Sequence, residues 1–322
     1  CARAMRVGAR LCLPRGRPFC ALAARRCATS SGSFWGTPGS IPPPGAHTAR
    51  YGGNTPCGAV GGKADQLVIL DAGSGIRPLG HELSRQAPGA MNVDILLSHT
   101  HWDHIQGLPF FQPLNTKGNS VQIYGAAQAG VPLVEILDRQ MDPVVFPVPL
   151  KALAAELTVT EVTGGGFEID GFWVETFRLR PPGTTLGYKL VPREGGRTMA
   201  YITDNELGTG GSYDVPEDWR SQLVRFLQGV DTLIHDGLYA ESLLASRAGW
   251  GHSTPRQPVE LAAECGSGEL VLFHHQPEHA YAATAPLLSR PPRPAPAPPP
   301  PPPPTPPRPA TPRPPSAGRC TS

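Results

Sequence analysis

Between residues 34 and 287 the apolar positions fall into short runs, each closed by a loop rich in Gly, Asp or His. Leu67–Leu70 is uniformly apolar and runs into Asp71-Ala72-Gly73-Ser74-Gly75, the pattern of a buried strand entering a Gly-rich loop. Val93–Leu97 is a second such strand, ending at Ser98-His99, and residues 121–124 are a third. Residues 131–140 carry apolar positions at helical spacing. Phe167–Leu179 alternates apolar and polar positions around Asp170-Gly171, which predicts a hairpin. Further strands are predicted at Gly187–Leu190, Met199–Ile202, Thr232–Ile234 and Leu270–Phe273, and helices at Trp219–Leu227 and Val259–Cys265. Residues 51–62 read as a Gly-rich turn region. Hairpins mix with single helices and no regular strand–helix–strand repeat is visible, so the expected class is α/β with mixed sheets. No apolar run approaches the ~18 residues of a membrane-spanning helix.

Composition changes the picture at the two ends. Of the 40 prolines in the 322 residues, 17 lie between 291 and 320. A polyproline stretch extends without building a packed core. Residues 1–33 hold seven Arg and no acid, a composition shared by organellar transit peptides and by non-native translated sequence. The expected division is a disordered or non-native extension at 1–32, one folded domain at 33–288 and a Pro-rich disordered tail at 289–322.

Charge follows the same division. With five more Arg and no acid in 288–322, the residues between the ends keep 16 basic and 26 acidic groups, a net of −10. Such a surface disfavours a nucleic-acid polymer as partner and accommodates divalent cations. Only Cys57 and Cys265 fall in the core, neither in a CxxC pair. That argues against a cysteine-based zinc site and for a reducing, cytoplasmic setting, with pairing across the fold left open.

The chemistry concentrates in His99-Thr100-His101-Trp102-Asp103-His104. In an extended segment, alternation puts residues 99 and 101 on one side, and a turn then brings Asp103 and His104 to a neighbouring point. Imidazole and carboxylate are ligands for Zn²⁺, Mn²⁺ or Fe. Other His stand at strand ends or in tight motifs: His235, His252, His274 and His275.

The segment SHTHWDH resembles the HxHxDH signature of the metallo-β-lactamase superfamily. So, in order, do Phe34-Trp35-Gly36-Thr37, Arg50–Thr55, Leu70–Gly80, Thr203–Glu206, Gly249–Thr254 and Leu270–His279. Together they are similar to a bacterial branch related to phosphodiesterases and to the tRNA 3′-end endonuclease RNase Z. The resemblance implies an αββα sandwich, two mixed β-sheets flanked by helices. It implies that His99 and His101 hold a first metal, that Asp103 and His104 hold a second, that Asp204 bridges both and that His274 completes the second site. One or two Zn²⁺ are the expected cofactor. Asp71 would steady the HxHxDH loop, and His252 would protonate the leaving group, oriented by His235 or Asp236. Catalysis proper would fall to Asp103 and His252.

There is one departure from the branch. Where it places a His before its Gly-rich turn, this chain has Pro181, which leaves the first metal with two His, a bridging carboxylate and water. Two cations about 3.5–4 Å apart yield hydroxide at neutral pH. The expected activity is hydrolysis of a small phosphodiester by that hydroxide. Hydrolysis of a thioester, lactone or β-lactam, and a weakened metal-binding protein, stand as alternatives. The 23 residues from Pro181 to Asp204 leave no room for the extra arm of the tRNA-processing relatives, a second argument against a polymer. The expected partner is therefore a small molecule, with no membrane, and homodimers are common in the family.

Overall fold

The computed structural model describes residues 8–11, 31–45, 52–61, 67–86, 90–169, 171–180, 183–208 and 212–276. In chain order, β1 (Gly8–Leu11) is an edge strand of one sheet. The chain then builds a second sheet whose six strands follow sequence order: β2 (Ser31–Gly36), β3 (Cys57–Gly61), β4 (Leu67–Leu70), β5 (Asn92–Leu96), β6 (Ser120–Gly125) and β7 (Glu156–Glu161). Its first three strands pair antiparallel and β4 to β7 pair in parallel. Helices α1 (Ile76–Gln86), α2 (Trp102–Ile105) and α3 (Leu133–Gln140) lie in the connections. The other sheet adds the hairpin β8 (Gly166–Ile169) and β9 (Phe172–Arg178), then β10 (Leu186–Pro192), β11 (Met199–Ile202), β12 (Thr232–Asp236) and β13 (Glu269–Phe273). Its order is β1-β13-β12-β11-β10-β9-β8. Helix α4 (Trp219–Phe226) joins β11 to β12, and α5 (Arg256–Cys265) joins β12 to β13.

Strand alternation sorts the core into layers. In β4, Val68 and Leu70 point to one face and Ile69 to the other. Val68, Leu70 and Leu96 pack with Tyr188, Tyr201, Ile234 and Phe273 of the opposite sheet. Ile69, Ile95 and Ile123 pack under Ile76, Leu79, Leu133 and Leu137 of α1 and α3. Ala200, Ile202, Leu233 and Leu270 pack under Trp219, Leu223 and Leu261 of α4 and α5. Both faces of the central strands are therefore buried, which is why they read as continuous apolar runs. The result is the expected αββα arrangement of two mixed sheets.

The elements differ from expectation in several places. Residues 57–61, inside the predicted turn region, form β3, paired antiparallel with β2 and β4. Helix α1 forms although its sequence contains Pro78 and Gly80, because its apolar face is buried. Strand–helix–strand connections do recur, since β4 to β7 and β11 to β13 are parallel runs; their helices are too short for a clear period. Strand β1, within the segment expected to lie outside the fold, pairs in parallel with Glu269–Leu272. The rest of the predicted extension, 1–7 and 12–30, and the Pro-rich tail lie outside the described residues. Among those described, no helix is long and apolar enough to cross a membrane. Cys57 and Cys265 are both buried and free, so the pairing left open by the sequence does not form.

Candidate metal centre

The ends of β4, β5, β11, β12 and β13 deliver Asp71, Ser98-His99, Asp204, His235-Asp236 and His274 to one region. Three of these residues leave their strands with positive φ: Asp71 at 60°, Asp204 at 49° and His274 at 54°. Such backbone is uncommon outside Gly and persists only where surrounding contacts hold it. Gly73 explains how the HxHxDH segment is seated. A Cβ there would lie 2.2 Å from the Asp103 carbonyl oxygen, so only Gly lets the two loops touch. Ala72 N–H donates to the His104 carbonyl at 2.7 Å and Gly107 N–H to the Ala72 carbonyl at 2.9 Å, locking them together.

Within this frame the side chains converge. Nε2 of His104 lies 3.3 Å from Asp204 Oδ1 and 3.4 Å from Asp103 Oδ2. Nε2 of His274 lies 3.0 Å from Asp103 Oδ2, 3.3 Å from Asp204 Oδ1 and 3.2 Å from His104 Nε2. Nε2 of His99 lies 3.3 Å from Asp204 Oδ2 but makes no hydrogen bond, although it is buried. Three overlapping groups bring their ligand atoms within 4.8 Å: His99, His104 and Asp204; Asp103, His104 and His274; Asp204, His252 and His274. Asp204, His104 and His274 each belong to two of them. His101 is in none; it is exposed, with its ring edge-on to His99 at 4.4 Å between centroids. Pro181 lies outside the described residues.

The donor set fits a divalent cation. Carboxylates and imidazole nitrogens are the right ligand types, and the buried His99 Nε2 faces the cluster without a hydrogen-bond partner. Burial opposes charge on Asp204, yet His274, His104 and His99 hold its carboxyl well below the usual range. Burial likewise opposes protonation of His104, but Asp103, Asp204 and Asp71 raise it well above an ordinary imidazole.

A surrounding layer of contacts holds these groups. Asp71 Oδ2 accepts from Tyr201 OH at 2.7 Å and from Ser98 Oγ at 2.9 Å, and Oδ1 accepts from Ser98 N–H at 2.7 Å. The same carboxylate meets His104 Nδ1 at 2.7 Å, which leaves Nε2 to face the cluster. Asp103 Oδ2 accepts from Ser40 N–H at 2.8 Å. Gly39 closes over His274, where a Cβ would come within 2.3 Å of the ring. The β-bridge of Pro38 with His275 continues that contact.

His252 stands beside the cluster, its ring stacked on His274 at 5.1 Å and 17°. Its Nε2 is 3.9 Å from Asp204 Oδ2 and its Nδ1 is 3.5 Å from Asp236 Oδ2. Asp236 is held by Ser253 N–H at 3.0 Å and Asn205 N–H at 3.3 Å. Of the two orienting candidates, Asp236 therefore faces His252. His235 turns elsewhere, its Nδ1 to the Asp236 carbonyl at 2.9 Å and its Nε2 to Asn205 Nδ2 at 3.1 Å. Sequence reasoning missed Tyr201, Ser98, Asn205 and Ser40, and assigned no task to Glu206. The only available signal was their position inside or beside the motifs.

Residues 67–275 match the Beta-lactamase superfamily domain. Ribonuclease Z of Thermoplasma acidophilum is 23% identical over 282 residues, which cover 76% of this chain and 85% of that protein. The crystal structure of human tRNase Z, short form, superposes with a TM-score of 0.54 at 22% identity, covering 76% of this chain and 92% of that one. A crystal structure described as a new diphosphatase from the PhnP family gives a TM-score of 0.54 at 19% identity, covering 79% and 90%.

These relatives overturn the expectation that a nucleic-acid polymer is disfavoured. Proteins named as ribonucleases match this chain across most of its folded length. The physical error lies in using net charge: a polyanion responds to the local field, and cations held by a cluster such as this one reverse its sign where a phosphate sits. The short Pro181–Asp204 connection bears on one loop and not on the substrate class.

Proposed function

From the premise that the chain belongs to the beta-lactamase superfamily, a metal-dependent hydrolase by fold and relationship, we propose that it hydrolyses phosphodiesters, with RNA among the substrates to be tried. One observation carries this reading. An imidazole, His252, is backed by the Asp236 carboxylate on one nitrogen and turns the other toward Asp204.

His99, His101, Asp103, His104, Asp204 and His274 would hold the metal, Zn²⁺ first among the candidates. When bound, a divalent cation in such a set polarises a phosphoryl oxygen and acidifies a water. The protein's own groups do the rest. Asp71 fixes the tautomer of His104, so that its Nε2 lone pair is offered inward. Asp236 orients His252, whose Nε2 holds a proton for the departing oxygen. Tyr239 and His274 pack against the His252 ring and limit its rotation. Relatives named as ribonucleases favour a phosphodiester over a carboxyl-type bond.

The test uses two leaving groups. With metal-loaded protein, His252→Ala should slow cleavage of a precursor RNA, whose leaving alkoxide needs a proton, by about 10²–10⁴-fold. It should slow bis(p-nitrophenyl) phosphate far less, because nitrophenolate leaves unprotonated. Equal losses on both would remove His252 as the acid, and turnover of thioesters or β-lactams without diester cleavage would overturn the proposal. Metal content of wild type and Pro181→His, by elemental analysis, reports whether the first site is complete.

A further inference from the structure

Trp250 is 55% exposed, two residues before His252 in the same loop. This loop is held in place. Glu206 is 1% exposed, and its Oε2 accepts Gly249 N–H at 2.9 Å and Gly251 N–H at 3.2 Å, the amides on either side of Trp250. Tyr213 OH donates to the same oxygen. Glu206 follows Asp204 by two residues, so one short segment carries both a cluster carboxylate and the anchor of the Trp250 loop. Arg247 places its guanidinium 4.2 Å from the Trp250 ring centroid.

We infer that Trp250, with Arg247 stacked on it, is a preorganised platform for the nucleobase of a nucleotide-containing substrate, and so determines specificity. Aromatic rings that present a face beside a phosphate site take bases by stacking, every base has such a face, and an adjacent Arg adds cation–π attraction. Pinning the loop on both sides of Trp250, with Arg247 packed on the ring, spares part of the ordering cost that a mobile loop would incur on binding. The inference rests on the phosphodiester reading and narrows it to diesters bearing a base.

Two probes isolate the platform: adenosine 5′-monophosphate and ribose 5-phosphate share phosphate and sugar and differ by the base. Their dissociation constants are measured by titration against full-length, Mn²⁺-loaded protein, for wild type, Trp250→Leu and Trp250→Phe. The expected result is that wild type prefers the nucleotide by about fivefold or more. Trp250→Leu should bring the ratio close to one, and Trp250→Phe should keep most of it. Equal affinity of wild type for both probes, no measurable nucleotide binding, or an unchanged ratio in Trp250→Leu would overturn the inference. Hydrolysis of bis(p-nitrophenyl) phosphate is followed in parallel. Turnover without base preference sinks the platform and leaves the proposed function standing. Base preference without diester turnover supports the platform and sinks the proposed function.

Discussion

At the scale of single residues, the informative group is Asp71. It is fully buried and carries no ligand atom in any of the three converging sets, yet Ser98, Tyr201 and His104 all close on it. A charge in such a place is tolerated because every side of it is met by a donor. Removing one donor exposes that dependence. Tyr201→Phe should destabilise the protein by about 1.5–3 kcal/mol, the range for a hydrogen bond to a charged group. Asp71→Asn keeps the volume but weakens the hold on His104, and metal affinity should fall about 10–100-fold. Denaturant unfolding checks the first and metal titration against a competing chelator the second. An Asp71→Asn protein with wild-type affinity would show that His104 needs no such partner.

At the scale of elements, the loop after α4 and β12 depends on a carboxylate from the loop after β11. Glu206 holds Gly249 and Gly251, and Asp236 at the end of β12 holds Ser253. The approach to α5 is therefore pinned at three peptide groups by two buried acids. Glu206→Ala leaves those glycine amides and Tyr213 without their acceptor, and should cost about 1–3 kcal/mol. Amide hydrogen exchange should accelerate at Gly249 and Gly251 while β5 and β12 stay protected. Unchanged exchange at the two glycines would mean that the loop is held by its other contacts. Because His252 lies in the same loop, catalysis and base preference should both weaken in this variant.

At the scale of the whole molecule, the centre joins the two sheets. Asp71, His99 and His104 come from the sheet that contains β4 and β5, whereas Asp204 and His274 follow strands of the other. A cation held between them ties the halves of the sandwich and stabilises only the folded state. At a free concentration 100 times its dissociation constant, one ion adds about 2.7 kcal/mol. For a domain of this size that raises Tm by roughly 5–10 °C. Thermal unfolding with added Zn²⁺ or Mn²⁺, then with excess chelator, should show the rise and its reversal. A Tm indifferent to both would argue that the cluster does not bind metal.

Much of this arrangement was legible in the chain, for reasons of distance. The strands Leu67–Leu70 and Leu270–Phe273 announce themselves because burial on both faces forces continuous apolar residues. His99, Asp103 and His104 stand together because a turn of a few residues is enough to converge them. Strand β7 did carry a signal that was not read: Glu-Leu-Thr-Val-Thr-Glu alternates polar and apolar positions, with Leu157 and Val159 half-buried against the core. Gly58 and Gly61 hid β3, because a glycine inside a strand reads the same as one in a turn. The tertiary structure alone decided that Asp236 and not His235 faces His252, that His101 sits beside the cluster, and that Tyr201 reaches Asp71. The last of these joins residues 130 positions apart, and the contact of His274 with Asp103 joins residues 171 apart. Local periodicity sets which face of a strand a side chain takes, but the partner it meets there depends on how the two sheets stack.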